Sequence, residues 1–298
     1  MNNILITGSS GRVGSAIYAH LANSYSVVGL DRLPSATTDL VGDIQQKEVI
    51  DLALEKVDII IHSAALHAPH VDLFPDSDFN LINVKATENL MKTGCLKGIK
   101  HFVFTSTTAL YGKTSTPSGK AGWIDESKIP QPRTIYHKTK IEAEKILSQL
   151  SEEYSVPVTV LQMSRCFPEA ADLMAVYRLH RGIDVRDVAV AHELAFQNHS
   201  TKFRRFIISS KTPFDKSHCN ELFSSADAVL RRKAPLLTKI FEQKNWQLPQ
   251  TIDRVYDSSL AQKELNWEPQ YGFESVLAML EKGNLEVLPV LNNSLDKG

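Results

Sequence analysis

The sequence predicts an α/β fold, a doubly wound parallel sheet with helices on both faces and a smaller C-terminal substrate-binding lobe. Three observations carry this. Short apolar, β-branched runs recur through the first half, at residues 4–7, 27–30, 57–62, 102–105 and 158–161. They are apolar throughout and do not alternate, as strands covered on both faces are. Helical-period segments lie between them. Val13, Ile17 and Leu21 share one face, and Ala143, Ile146, Leu147 and Leu150 share another after Tyr136. Strands and helices in this alternation build a parallel sheet through crossovers.

The second half is less regular. Pro168, Pro213, Pro235, Pro249 and Pro269 interrupt it, so its helices should be short. Residues 186–196 read as a further strand-to-helix passage. Residues 261–265 read as a short helix ended by Asn266-Trp267-Glu268-Pro269. The division expected is 1–162 for the sheet domain, with 183–200 returning to it, and 163–298 mainly for the lobe. The tail after Leu285 is expected to fray.

Composition bounds the class. A chain of 298 residues suits one large α/β domain with an appendage, and 43% hydrophobic residues support a sizeable core. A formal net charge of −1 gives no global pull toward nucleic acid or anionic membranes, so neither is expected as a partner. Cys95, Cys166 and Cys219 are far apart and lack CxxC spacing. No disulfide framework or metal site is expected, and a reducing cytoplasm fits. The chain enters Asn3-Ile4-Leu5-Ile6 without a signal-peptide pattern, and no apolar run reaches transmembrane length. The glycosylation triplets Asn198-His199-Ser200 and Asn292-Asn293-Ser294 therefore read as chance.

The first strand runs into Thr7-Gly8-Ser9-Ser10-Gly11-Arg12-Val13-Gly14. Gly8 permits a tight turn, Gly11 lets backbone approach a pyrophosphate, and Gly14 lets helix and strand pack closely. The helix start offers free N–H groups and partial positive charge to phosphates. The second strand ends at Asp31, where an acid accepts from ribose hydroxyls and repels a 2′-phosphate. This is a Rossmann-type dinucleotide site. Asp31 favours NAD over NADP, while Arg32 beside it pulls the other way.

The spacing Gly-x-x-Gly-x-x-Gly resembles the extended short-chain dehydrogenase/reductases, the NAD-dependent epimerase/dehydratase family. Further stretches match in order. Asp43-Ile44 resembles the family's adenine-contacting pair, and His62-Ser63-Ala64-Ala65 its loop beside the middle of the cofactor. Asn83-Val84-Lys85-Ala86-Thr87-Glu88-Asn89-Leu90 resembles its Asn-Val-x-Gly-Thr-x-Asn-Leu helix. Thr105-Ser106-Thr107-Thr108-Ala109-Leu110-Tyr111-Gly112 resembles its active-site strand and loop. Tyr136-His137-Lys138-Thr139-Lys140 is its Tyr-x-x-x-Lys motif. Residues 257–261 and 265–269 resemble its C-terminal signature. The resemblance adds Asp43, Ile44, Ser63, Ala64, Ala65, Asn83, Thr105 and Met163 to the cofactor contacts. It also implies a homodimer through the helices at 83–93 and 136–150.

Spacing of four puts Tyr136 and Lys140 on one helical face. A phenol titrates near ~10 in water, and a nearby ammonium favours its ionised form. Tyr136 is thus the expected proton acceptor and Lys140 its activator. By resemblance, Lys140 also donates to the nicotinamide ribose and Thr107 holds the reacting hydroxyl. His67, Thr108 and Arg254 are candidates for substrate contact. Tyr111 reads as structural and Cys166 as a small buried hydrophobe, while Arg178, His180 and Arg181 could pair with substrate phosphates but read first as a solvated basic face. Departures bear on the reaction. Thr108-Ala109 replaces the Asp-Glu pair of the 4,6-dehydratases, Gln162-Met163 the usual Arg-Pro, and Phe167-Pro168-Glu169 a Gly-Pro turn. Oxidation or epimerisation of a sugar-like alcohol, a nucleotide sugar among the options, through a transient ketone is the leading reading. Simple dehydrogenation of a small or lipophilic substrate and a catalytically silent scaffold are the alternatives.

Overall fold

The computed structural model describes residues 2–198 and 202–290. In chain order its strands are β1 (Asn3–Thr7), β2 (Ser26–Asp31), β3 (Leu40–Val41), β4 (Ile59–His62), β5 (His101–Thr107), β6 (Gly122–Ile124), β7 (Val158–Met163), β8 (Glu169–Ala170), β9 (Arg204–Ile208), β10 (Arg254–Tyr256) and β11 (Val287–Leu288). Its α-helices are α1 (Arg12–Leu21), α2 (Lys47–Ala53), α3 (Asp76–Asn80), α4 (Ala86–Leu96), α5 (Ile135–Tyr154), α6 (Ala171–Tyr177), α7 (Val185–Gln197), α8 (Cys219–Ser224), α9 (Ala226–Lys233), α10 (Pro235–Gln243), α11 (Ser259–Glu264) and α12 (Phe273–Glu281).

Seven strands make one sheet in the order β3-β2-β1-β4-β5-β7-β9. Every pairing in it is parallel. The chain steps outward from β1 in both directions, so the crevice lies at the C-terminal ends of β1 and β4, the switch point where open α/β sheets bind ligands. Strand side chains alternate between two cores. Ile4 and Ile6 face the side holding Ile17 and Leu21 of α1, Val188 and Ala191 of α7, and Trp267. Leu5 faces the other side with Leu90 and Met91 of α4 and Ala143 and Leu147 of α5. A separate core of Met174, Leu222, Leu230, Leu237, Phe241 and Val276 holds the lobe together.

Three expectations shift. Residues 186–196 carry no strand, for α7 begins at Val185. The Asp184 carboxylate accepts from the Arg186 N–H at 3.1 Å and starts the helix there. The sheet strand that follows is β9, which lies in the half assigned to the lobe. Of the tail after Leu285, residues 286–290 are held, for β11 pairs with β8 and Glu286 forms an ion pair with Arg12, and residues 291–298 lie outside the described residues. Of the two glycosylation triplets, His199, Ser200 and the whole of Asn292-Asn293-Ser294 lie outside the described residues. Among the described residues no helix is long and apolar enough to cross a membrane.

Candidate active site

The C-terminal strand ends open into a cleft of about 470 Å³. One wall is the glycine loop. Gly8 sits at φ +74°, and a Cβ there would meet the Ala64 nitrogen at 2.6 Å. Gly11 opens α1 without a side-chain cap, and α1 has no acid in its first turn. The helix therefore presents unneutralised N–H groups and the positive end of its dipole to the cleft. Ser10, Gly11, Arg12, Val13 and Gly14 all line it, as a pyrophosphate cradle requires.

Asp31 stands at the end of β2 with its carboxylate fixed in place. Oδ2 accepts from the Ser10 N–H and Oδ1 from the Leu33 N–H, each at 3.0 Å. Arg32, Asp43, Ile44, Ser63, Ala64 and Ala65 complete this end of the cleft. Ser63 is oriented by donating to the Thr7 carbonyl at 2.7 Å. Asn83 lies one layer behind the cleft wall. Its amide clamps Leu66 through two bonds of 2.8 Å, so it braces the loop and does not line the pocket. A π-helical turn at Leu81–Lys85 aims it there.

Thr105, Thr107, Thr108, Tyr136, Lys140 and Met163 meet at the middle of the cleft. The Thr107 and Tyr136 hydroxyls lie beside each other. The Thr107 oxygen accepts from the Ala109 N–H at 3.1 Å. Lys140 donates to the Thr105 carbonyl at 2.9 Å and lies 4.4 Å from the Phe104 ring centroid. Burial brings the ammonium down to about 8, opposed by the charge of Glu144. Burial also pushes the Tyr136 phenol up to about 12, against the Thr107 hydrogen bond. Lys140 is anchored on a backbone carbonyl, and desolvation sets the phenol's value.

The far end is built from residues scattered in sequence: His67, His70, Ser164, Arg165, Cys166, Phe167, Arg181, Arg254 and Tyr256. His67 stacks on Phe167 with centroids 6.3 Å apart, and burial lowers its basicity. Arg254 is held by both oxygens of Asp253, at 3.0 and 2.6 Å, and Arg165 pairs with Glu169. The basic run is not a solvated face. Arg178 is buried in an ion pair with Asp184 at 3.0 Å, and buried His180 bonds the Arg254 carbonyl at 2.8 Å. Only Arg181 of the three reaches the cleft. Tyr111 donates to the Gln162 side chain at 2.8 Å, away from the pocket. Among the described residues no cluster of three or more His, Cys, Asp or Glu is placed to hold a metal ion.

The residues that sequence reasoning passed over are His70, Ser164, Arg165 and Tyr256, and Phe167 was noted only as a departure from the family's Gly-Pro. Glu144 was also missed, although its place one turn beyond Lys140 on the same helical face was visible.

Comparison with known proteins agrees with this geometry. The model of the NAD dependent epimerase/dehydratase family matches residues 4–171. The chain is 28% identical over 151 residues to N-acetyl-alpha-D-glucosaminyl-diphospho-ditrans,octacis-undecaprenol 4-epimerase of Escherichia coli O157:H7, covering 50% of this chain and 43% of that one. It is 31% identical over 169 residues to 3-beta-hydroxysteroid dehydrogenase of Mycolicibacterium neoaurum, covering 51% and 44%. The chain thus matches about half the length of these relatives. A short-chain dehydrogenase/reductase superfamily protein from Agrobacterium tumefaciens, solved with bound NAD, shares the fold with a TM-score of 0.71 at 18% identity, over 95% of this chain and 96% of that one.

Proposed function

Because the chain belongs to the NAD dependent epimerase/dehydratase family, we propose that it is an NAD-dependent enzyme that oxidises a sugar-like alcohol through a keto intermediate. The observation that carries this is the meeting of Thr107, Tyr136 and Lys140 in the cleft whose other end holds the uncapped helix α1 and Asp31. NAD bound there would supply the acceptor for a hydride. Gly8, Gly11 and the α1 N-terminus would hold its pyrophosphate, and Asp31 its adenosine ribose. Tyr136 takes the substrate's hydroxyl proton as the C–H electron pair departs, leaving a C=O bond. Thr107 holds the reacting oxygen by a hydrogen bond. Lys140 would hold the nicotinamide ribose and supply the positive charge that favours phenolate. Reduction of the ketone again from its opposite face would give an epimer, and release of the ketone would be net oxidation.

Simple dehydrogenation is the second reading. It is favoured by Asp253 and Glu169, which already occupy Arg254 and Arg165 and leave less cationic surface for a nucleotide diphosphate. Turnover with a panel of nucleotide sugars, uronic acids and simple alcohols decides. Epimer exchange without net NADH supports the first reading and net NADH the second. No turnover and no NAD binding rejects both. In calorimetry NAD should bind at least about tenfold more tightly than NADP, since Asp31 faces the 2′-phosphate with like charge. Tighter NADP binding would hand that end of the cleft to Arg32.

We also infer a homodimer through α4 and α5, on the strength of the family relationship. Leu90, Met91, Ala143 and Leu147 of these helices are committed to the chain's own core, and partly buried Ile141 and Ile146 pack against it as well. Sedimentation at micromolar concentration should give the dimer mass; a monomer mass rejects the assembly. A cytoplasmic setting suits the free thiols Cys95, Cys166 and Cys219.

A further inference from the structure

We propose that Glu144 is a positioning residue for the Tyr136–Lys140 pair: its buried carboxylate, gripped by Ser106, Gln162 and Arg205, sets the register of α5 on β5 and balances the Lys140 ammonium. The inference rests on the roles given above to Tyr136 and Lys140.

Tyr136, Lys140 and Glu144 stand four residues apart and form one stripe along α5. Three consecutive residues of β5 meet that stripe. The Thr107 hydroxyl lies beside that of Tyr136. The Thr105 carbonyl accepts from Lys140 at 2.9 Å. The Ser106 hydroxyl donates to Glu144 Oε1 at 2.5 Å. A slip of one residue between helix and strand would break all three.

A carboxylate buried to 3% exposure is costly unless its oxygens are satisfied. Glu144 receives donors from three neighbouring strands: Ser106 of β5, Gln162 Nε2 of β7 at 2.9 and 3.1 Å, and Arg205 Nε of β9 at 2.7 Å. One side chain thus ties α5 to half of the sheet, directly behind the proton-transfer pair. The Gln162 oxygen in turn accepts from Tyr111, so the network is closed at that end too.

The charges around the pair are few. Lys140 faces Tyr136 and Glu144 on its own helix, neutral His62 from β4 and His67 from the loop after it. Glu144 faces Arg205 and the un-ionised Tyr111. Removing the Glu144 charge leaves the ammonium with burial alone, so it should lose its proton at lower pH. Removing Arg205 leaves the carboxylate less neutralised, so the ammonium should persist to higher pH. A brace with no electrostatic role would not move the titration in opposite directions.

The test uses the full chain with 13C-labelled lysine ε-carbons, titrated by NMR. The Lys140 signal is assigned by its loss in Lys140→Met. Wild type should titrate at about 8. Glu144→Gln should titrate lower, by about one pH unit, and Arg205→Gln higher. A midpoint unchanged in both variants overturns the proposal. If Glu144→Gln does not fold, Arg205→Gln decides alone, and an unchanged or lower midpoint overturns it. The titration needs neither cofactor nor substrate, so its failure counts against Glu144 and not against the oxidoreductase reading. With a substrate in hand, Glu144→Gln should lower kcat about tenfold with KM nearly unchanged, and its alkaline limb should move with the Lys140 midpoint. A kcat equal to wild type across the pH range would also overturn the role.

Discussion

Tyr136→Phe is expected to lower turnover by about 10²–10⁴-fold while cofactor affinity and folding stay close to wild type. The ring is nearly buried and packs with Leu66 and Phe79, and phenylalanine keeps all of that packing. Only the hydroxyl goes. Its partner Thr107 keeps the Ala109 N–H as a donor at 3.1 Å, so no buried group is stranded. The stability cost should therefore be that of one hydrogen bond, about 0.5–1.5 kcal/mol. The catalytic cost is larger because the lost hydroxyl is the group given the proton-transfer role. Burial holds the phenol at about 12, so at neutral pH it is un-ionised unless nearby positive charge draws the proton off. Lys140 supplies that charge from the next turn of α5. The measurement is kcat, calorimetric NAD affinity and thermal unfolding of the variant beside wild type. Wild-type turnover in Tyr136→Phe would move proton transfer to another group, with His67 on the cleft wall the first to examine.

What was legible in the sequence follows from what is local. The strands β1, β4, β5 and β7 are buried on both faces, and such strands announce themselves as apolar runs, while β2 is buried only toward its end and shows through residues 27–30. β9 opens with Arg204-Arg205, whose guanidiniums bond Asn198 and Glu144, so it lacks that signature. The passage at 186–196 looked half-strand because Val188, Ala189, Val190 and Ala191 are consecutive and apolar. The helix wins there because Asp184 caps it and its apolar face, with Val188, Ala191 and Ala195, packs on α1 and the sheet. The strands β3, β6, β8, β10 and β11 span two or three residues each, too short to show a period. At the site, the cofactor end was readable because one glycine turn and one strand end supply most of it. The substrate end joins residues from positions 67, 165, 181 and 254, which only the folded chain brings together. Asn83 shows the limit of motif transfer: the residue matches, and its amide is committed to holding Leu66.

Gly14→Ala should damage folding and NAD binding together. A Cβ at Gly14 would lie 2.0 Å from the Gly8 oxygen and 2.7 Å from its carbonyl carbon. Both are backbone atoms, so no side chain can swing aside. Gly8 cannot retreat either. Its N–H donates to the Leu30 carbonyl at 2.9 Å, its oxygen accepts from the Gly11 N–H at 3.1 Å, and its own Cβ position is blocked by Ala64. Helix α1 must therefore lift from β1, drawing Ile17 and Leu21 out of the core they share with Ile4 and Ile6. Overpacking of this kind costs about 1–3 kcal/mol, and more where the backbone is pinned. The same movement carries the α1 N-terminus away from the pyrophosphate position. Gly11→Ala is the control. Its Cβ would meet only the Gly8 oxygen, at 3.3 Å, so the fold should hold and any loss should fall on the cofactor. Denaturant unfolding and NAD calorimetry on both variants separate the two roles. Equal stability of Gly14→Ala and wild type would refute the packing argument. Equal destabilisation by Gly11→Ala would show that the two glycines are not doing different jobs.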